Sequence, residues 1–111
     1  MQIQTIEQKT GLDRATIRYY EQEGLIKPLR LQNGYRDYSE THLQDLIKIK
    51  LLRQLGLSLE SISRLIEGED DLQSVLENQL LILKEHKTQV ENAEFVCRVM
   101  YNTCWERSFH M

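Results

Sequence analysis

Residues 10–28 read "TGLDRATIRYYEQEGLIKP", and this stretch decides the fold. Gly11 breaks one apolar pattern, Asp13 offers a side-chain oxygen to cap a new helix, and Gly24 ends that helix. Neighbours on a helix point about 100° apart, so Tyr19 and Tyr20 cannot enter the same core. On a wheel over residues 13–23, Ile17 and Tyr20 share a face with Thr16 and Asp13. The opposite face carries Arg14, Ala15, Arg18, Tyr19 and Gln22. Tyr20 is therefore expected inside and Tyr19 outside, beside two arginines. Guanidinium groups bond guanine edges or phosphates, and a tyrosine hydroxyl bonds a phosphate. The small Ala15 would let the helix approach a groove. The same composition also suits an ordinary solvated face, so the neighbourhood has to decide.

Upstream, residues 4–10 read as a short helix. That helix, the tight turn "TGLD" and the helix over 13–23 make a helix-turn-helix, which presents its second helix to the major groove. Downstream, Asn33-Gly34 reads as a two-residue hairpin turn between the short strand candidates "LRLQ" and "YRDY". A wing would lie there. Arg36 and Tyr38 would share one strand face and Tyr35 the other, and an arginine beside tyrosines suits a phosphate backbone.

Two further helices follow near 40–55 and 59–67. Ser39 and Ser58 serve as N-caps and Gly56 and Gly68 mark the ends. Leu43, Leu46, Ile47, Leu51 and Leu55 form the expected apolar face of the first, and Leu59, Ile62, Leu65 and Ile66 that of the second. Lys50 and Arg53 flank the first, within reach of backbone phosphates; a plain surface role is the simpler one for Lys50. No Gly-rich phosphate-binding motif occurs.

A final helix is expected from about residue 71, capped by Asp70 or Asp71. Here the apolar period becomes seven: Leu76, Leu83, Val90, Cys97 and Cys104. Leu72, Ala93 and Met100 run beside them, as do Val75, Ile82 and Val96; Gln79, His86 and Gln89 interrupt the stripe. Four heptads suffice for a coiled coil. A helix of roughly 33 residues is about 50 Å long and cannot bury such a stripe on a domain of about 70 residues. A second copy of the chain is the expected partner. The division expected is 1–70 for the DNA-binding unit and 71–111 for the long helix and tail.

The bulk composition agrees with this. At 28% charged and 41% hydrophobic over 111 residues, the chain has the balance of a globular protein and length for one small core plus an extension. Its net charge of −3 opposes nucleic-acid binding only if spread evenly, and it is not. Residues 1–38 carry six Lys/Arg against five Asp/Glu, whereas residues 69–111 carry four against eight. The start "MQIQTIEQKT" lacks the basic and apolar runs of a signal peptide, and "LLIL" at 80–83 is far too short to span a membrane. A cytoplasmic protein with no membrane partner is expected.

In combination, the runs "IRYYE", "GLIKP", "NGYRDYS" and "LRQLGLSLESI" resemble the DNA-binding domain of the MerR family of bacterial transcription regulators, from residue 3 to about 67. The resemblance implies a mainly α fold: a winged helix-turn-helix domain with a short β-hairpin wing, then a long dimerisation helix pairing as an antiparallel coiled coil. It implies a homodimer that activates or represses by distorting double-stranded promoter DNA, with RNA polymerase as a further partner. Residue by residue, it implies DNA contacts from Arg14, Thr16, Arg18 and Tyr19, from Arg36 on the wing, and from Arg53. Ala15 and Tyr35 join that face from the residue pattern. The dimer seam would be Leu72, Leu76, Leu83, Val90, Ala93, Cys97, Met100 and Cys104. Tyr20, Leu25 and Ile26 would be core.

Metal-sensing members of that family bind ions through cysteines near the end of this helix. Cys97 and Cys104 stand two turns apart, about 10 Å along a helix, too far for one ion on one straight helix. Both also lie on the apolar stripe, where cysteine packs as a small hydrophobe, so no metal and no cofactor are expected. His42, His86 and His110 are scattered, and no nucleophile, base and orienting group stand together, so no enzyme is expected. Trp105 and Phe109 either cap the dimer or precede an effector domain, whose ligand the residues do not name. Two other readings compete: an excisionase-like DNA-bending factor, which usually lacks a long dimer helix, and a coiled-coil interaction protein, against which the Arg14/Arg18/Tyr19 face argues.

Overall fold

A computed structural model describes residues 1–103 of the chain. The element order is α1 (Ile3–Thr10), α2 (Arg14–Gln22), β1 (Leu29–Arg30), β2 (Arg36–Asp37), α3 (Glu40–Gln54), α4 (Leu59–Ile66) and α5 (Leu72–Asn102). The chain divides into two compact units between Asp71 and Leu72.

The helix boundaries follow from local chemistry. Asp13 accepts from the Thr16 backbone N–H at 2.7 Å, and Ser58 from that of Ser61 at 3.1 Å. Hydrogen bonding from Thr16, side chain and backbone, holds the Asp13 carboxyl below its usual range. That cap contributes above the ordinary carboxylate pKa and fades as acid protonates it. Ser39 caps α3 through the His42 N–H, and the His42 ring returns the favour by accepting from the Ser39 N–H at 3.0 Å. Gly11 sits at φ 74, where its N–H closes α1 onto the Glu7 carbonyl. The Lys50 ammonium, expected on the surface, donates to the Thr10 carbonyl at 2.7 Å and finishes the same helix end.

The core of the first unit is Ile6, Ile17, Tyr20, Leu25, Ile26, Tyr38, Leu43, Leu46, Ile49, Leu57 and Ile62. Tyr20 is 7% exposed and Tyr19 48%, so the adjacent tyrosines do part, one inward and one outward. Asp13, expected on the inner face, is exposed, because its cap bond is made at the helix end rather than in the core.

Three further expectations change. First, α3 buries Leu43, Leu46 and Ile49, whereas Leu51 and the C-cap residue Leu55 are exposed and Ile47 is half-buried. Apolar residues lie on two sides of this helix, and the side that also carries Lys50 packs on α1. Second, the hairpin loop has three residues, not two. Leu31 and Tyr35 close it, with Leu31 N–H to Tyr35 O at 2.8 Å and Gly34 N–H to Leu31 O at 2.9 Å. Gly34 takes φ 86, the left-handed third position of a turn with a bulge. The strands then pair Leu29 with Asp37 and Arg30 with Arg36. Third, Tyr38 is 1% exposed and belongs to the core rather than the wing face. Its backbone N–H bonds the Met1 carbonyl at 2.8 Å and its ring meets His42 edge-on. Burial pushes its phenol pKa up, and its hydroxyl has no hydrogen-bond partner among the described residues.

In α5 no described side chain is buried. Leu72, Ile82, Leu83, Val90 and Val96 are exposed, Ala93 and Cys97 likewise, and Leu76, Val75 and Met100 are half-exposed. Cys104, with Trp105, Phe109 and His110, lies outside the described residues.

Tyr20→Ala should cost about 3–5 kcal/mol in urea unfolding, as large core truncations do, against less than about 0.5 kcal/mol for the outward Tyr19→Ala. Tyr38→Phe should match or exceed wild-type stability, by up to about 1 kcal/mol, since it removes an unpaired buried hydroxyl.

Candidate nucleic-acid interface

The capped start of α2 fixes which residues project from it. Ile17 and Tyr20 are locked inside, so Ala15, Arg18, Tyr19 and Gln22 are exposed, while Arg14 and Thr16 are half-buried. The hairpin places its tip beside this face. Between them lies a groove of 520 Å³ lined by Gln2, Ile3, Gln4, Arg14, Arg18, Gly34, Tyr35 and Arg36. Three guanidinium groups thus border one concavity, with Tyr35 69% exposed at its wing edge.

The three arginines differ in their tethers. Arg14 donates through Nε and Nη2 to one Glu7 oxygen, at 3.1 and 3.0 Å. Arg36 donates through Nε to both Glu21 oxygens, at 3.0 and 2.8 Å. Arg18 makes no hydrogen bond or ion pair among the described residues. An untethered guanidinium keeps all its donors for a ligand, whereas the tethered ones arrive already oriented.

Of the predicted contact residues, Arg14, Arg18, Tyr35 and Arg36 therefore come together on the groove. Ala15, Thr16 and Tyr19 lie on the same helix but do not line it. Arg53 stands apart: it is exposed, and its Nη1 donates to the Leu57 carbonyl at 2.9 Å, tying the end of α3 to the loop that follows. Glu7, Glu21, Gln2 and Gln4 were not anticipated. The two glutamates carried a signal, being acids spaced among cations, but their partners lie 7 and 15 residues away, and no local spacing rule reaches that far.

Among the described residues, no three His, Cys, Asp or Glu side chains are grouped to hold a metal ion, and no helix is long and apolar enough to cross a membrane.

Comparison with known proteins places this geometry. Residues 1–69 match the family model described as MerR HTH family regulatory protein. The HTH-type transcriptional regulator CueR of Salmonella typhi is 43% identical over 72 residues, 64% of this chain and 52% of the relative. The HTH-type transcriptional regulator HmrR of Rhizobium leguminosarum bv. viciae is 42% identical over 71 residues, 64% and 55% of the two chains. The chain thus spans about half the length of the curated relatives it matches. The N-terminal part of MtaN, the Bacillus subtilis multidrug transporter activator, superposes with a TM-score of 0.80 at 24% identity, covering 90% of this chain and 97% of that one. HiNmlR, described as a MerR family regulator lacking the sensor domain and bound to promoter DNA, gives 0.63 at 27% identity, covering 96% and 86%. Both curated relatives are named as HTH-type transcriptional regulators.

Arg18→Ala breaks no internal bond and should leave the melting temperature unchanged. It should lower the slope of log affinity for duplex DNA against log salt by about one unit if its contact is to a phosphate. If the contact is to a base edge, discrimination at one position should relax by roughly 1–3 kcal/mol instead. Fluorescence anisotropy over a salt series separates the two, and wild-type behaviour on both would remove Arg18 from the interface.

Proposed function

The chain belongs to the MerR HTH family of regulatory proteins, and from that premise we propose that it is a transcriptional regulator that binds double-stranded promoter DNA as a homodimer. The observation that carries this is the groove between α2 and the wing, with Arg14, Arg18 and Arg36 on its border. Major-groove entry of α2 would bring Arg18, Tyr19, Ala15 and Thr16 to the bases or the flanking backbone, with Tyr35 and Arg36 following the phosphates. Arg53 would add a backbone contact.

The long helix supplies the second half of the proposal. None of its described side chains is buried, and Leu72, Leu76, Leu83, Val90, Ala93, Cys97 and Met100 would form the seam with a second copy, with Cys104 beyond the described residues. Heptads do not set direction; antiparallel pairing comes from the family. A twofold pair puts two recognition helices on one side of the duplex, meeting half-sites of a palindrome about one turn, roughly 34 Å, apart. Where that separation does not match relaxed DNA, the duplex must bend or untwist, at a cost on the order of 1–6 kcal/mol offset by the added contacts. Such distortion would realign promoter elements for RNA polymerase.

The test is a footprint on the DNA upstream of the chain's own coding region, paired with Leu83→Asp/Val90→Asp. Wild type should sediment as a dimer and protect a palindrome between promoter elements. The double variant should sediment as a monomer and lose tight binding to the full site. A monomeric wild type at micromolar concentration, or unaltered binding by the variant, would defeat the dimer mechanism.

A further inference from the structure

Arg30 and Arg36 face each other directly across the hairpin. Like charges at opposed strand positions destabilise a pair; the Met1 ammonium ties down Asp37 at 2.8 Å and the Tyr38 carbonyl at 2.6 Å, but it does nothing for the two arginines. A carboxylate from another element answers both. Glu21, near the end of α2, takes two hydrogen bonds from Arg36 Nε at 3.0 and 2.8 Å and stands 3.9 Å from Arg30 Nη2. Its side chain is 18% exposed and that of Arg36 26%, so water screens this pair less than a surface bridge. Glu21 carries no donor for DNA and repels phosphate, yet it sits on the recognition helix itself.

We infer that Glu21 is a positioning residue, which neutralises the opposed wing arginines and sets the wing at its working distance from the recognition helix. The inference rests on the DNA-binding reading above, and it predicts a sign that simple electrostatics does not. Removing a negative charge from a DNA-binding face should strengthen binding to any duplex. Removing the clamp should instead weaken binding to the specific site, because the wing no longer holds the register that specific contacts need, while unspecific binding stays level or rises. Arg36 conveys the effect, so the loss should vanish where Arg36 is already absent.

The experiment compares wild type, E21Q, R36Q and E21Q/R36Q on the footprinted site and on a scrambled duplex, by anisotropy at one salt concentration, with thermal melts alongside. E21Q should lower affinity for the specific site about tenfold, leave scrambled-duplex affinity equal or higher, and add nothing to R36Q. If E21Q melts below the assay temperature, E21D replaces it: the charge stays on a shorter arm, and the ratio of specific to unspecific affinity should fall about threefold. E21Q binding the site as tightly as wild type or more so, losses that add to those of R36Q, or an E21D ratio equal to wild type, would overturn the assignment. Failure of wild type itself to prefer the footprinted site would instead refute the DNA-binding reading.

Discussion

Burial of Ile17 and Tyr20 is the constraint on which the rest depends. Both side chains are nearly or wholly inaccessible, and they lie three residues apart on a helix of nine. That pair fixes the rotation of α2 about its axis. Once it is fixed, Arg18 and Tyr19 have no direction left but outward. The Asp13 cap fixes where the helix begins, and so how far each residue stands along it. A rotation of one residue, about 100°, would bury Arg18 and expose Tyr20. The core therefore specifies the interface, although no core residue would touch DNA.

The second organising feature is how charge is held. Arg14 leans on Glu7 and Arg36 on Glu21, so two of the three groove cations are oriented before any ligand arrives. Such orientation reduces the side-chain entropy lost on binding. The net charge of −3 does not fall on this face, because the excess of acids lies in the last third of the chain, and Arg18 stands on it without an acid partner among the described residues. The first 69 residues carry the family match. The long helix has only its exposed apolar side chains to argue for a partner.

The local features were legible in the sequence. Asp13, Ser39 and Ser58 cap the helices they precede, the glycines end them, and the two tyrosines part as the helical period requires. What was hidden depends on register. A two-residue loop at Asn33-Gly34 would set Arg30 opposite Asp37, a complementary pair; the three-residue loop sets it opposite Arg36 instead. One residue of slip thus turns a salt bridge into a repulsion and creates the need for Glu21. The same limit applies to Tyr38, where alternation alone put a core ring on the wing face, and to α3, where two apolar sides competed and the period could not choose. Arg53 and Lys50 read as free cations because a backbone carbonyl partner leaves no mark in sequence.

One face, built from α2 and the wing, is proposed to meet duplex DNA. The most direct measurement is an NMR titration of isotope-labelled protein with a duplex carrying the footprinted site. The largest amide and guanidinium shifts should fall on Arg14 to Tyr19 and on Gly34 to Arg36, with Leu51 of α3 and Leu55 at its C-terminal cap unmoved. Largest shifts on the exposed side of α3, or none on the α2–wing face at saturating DNA, would contradict it.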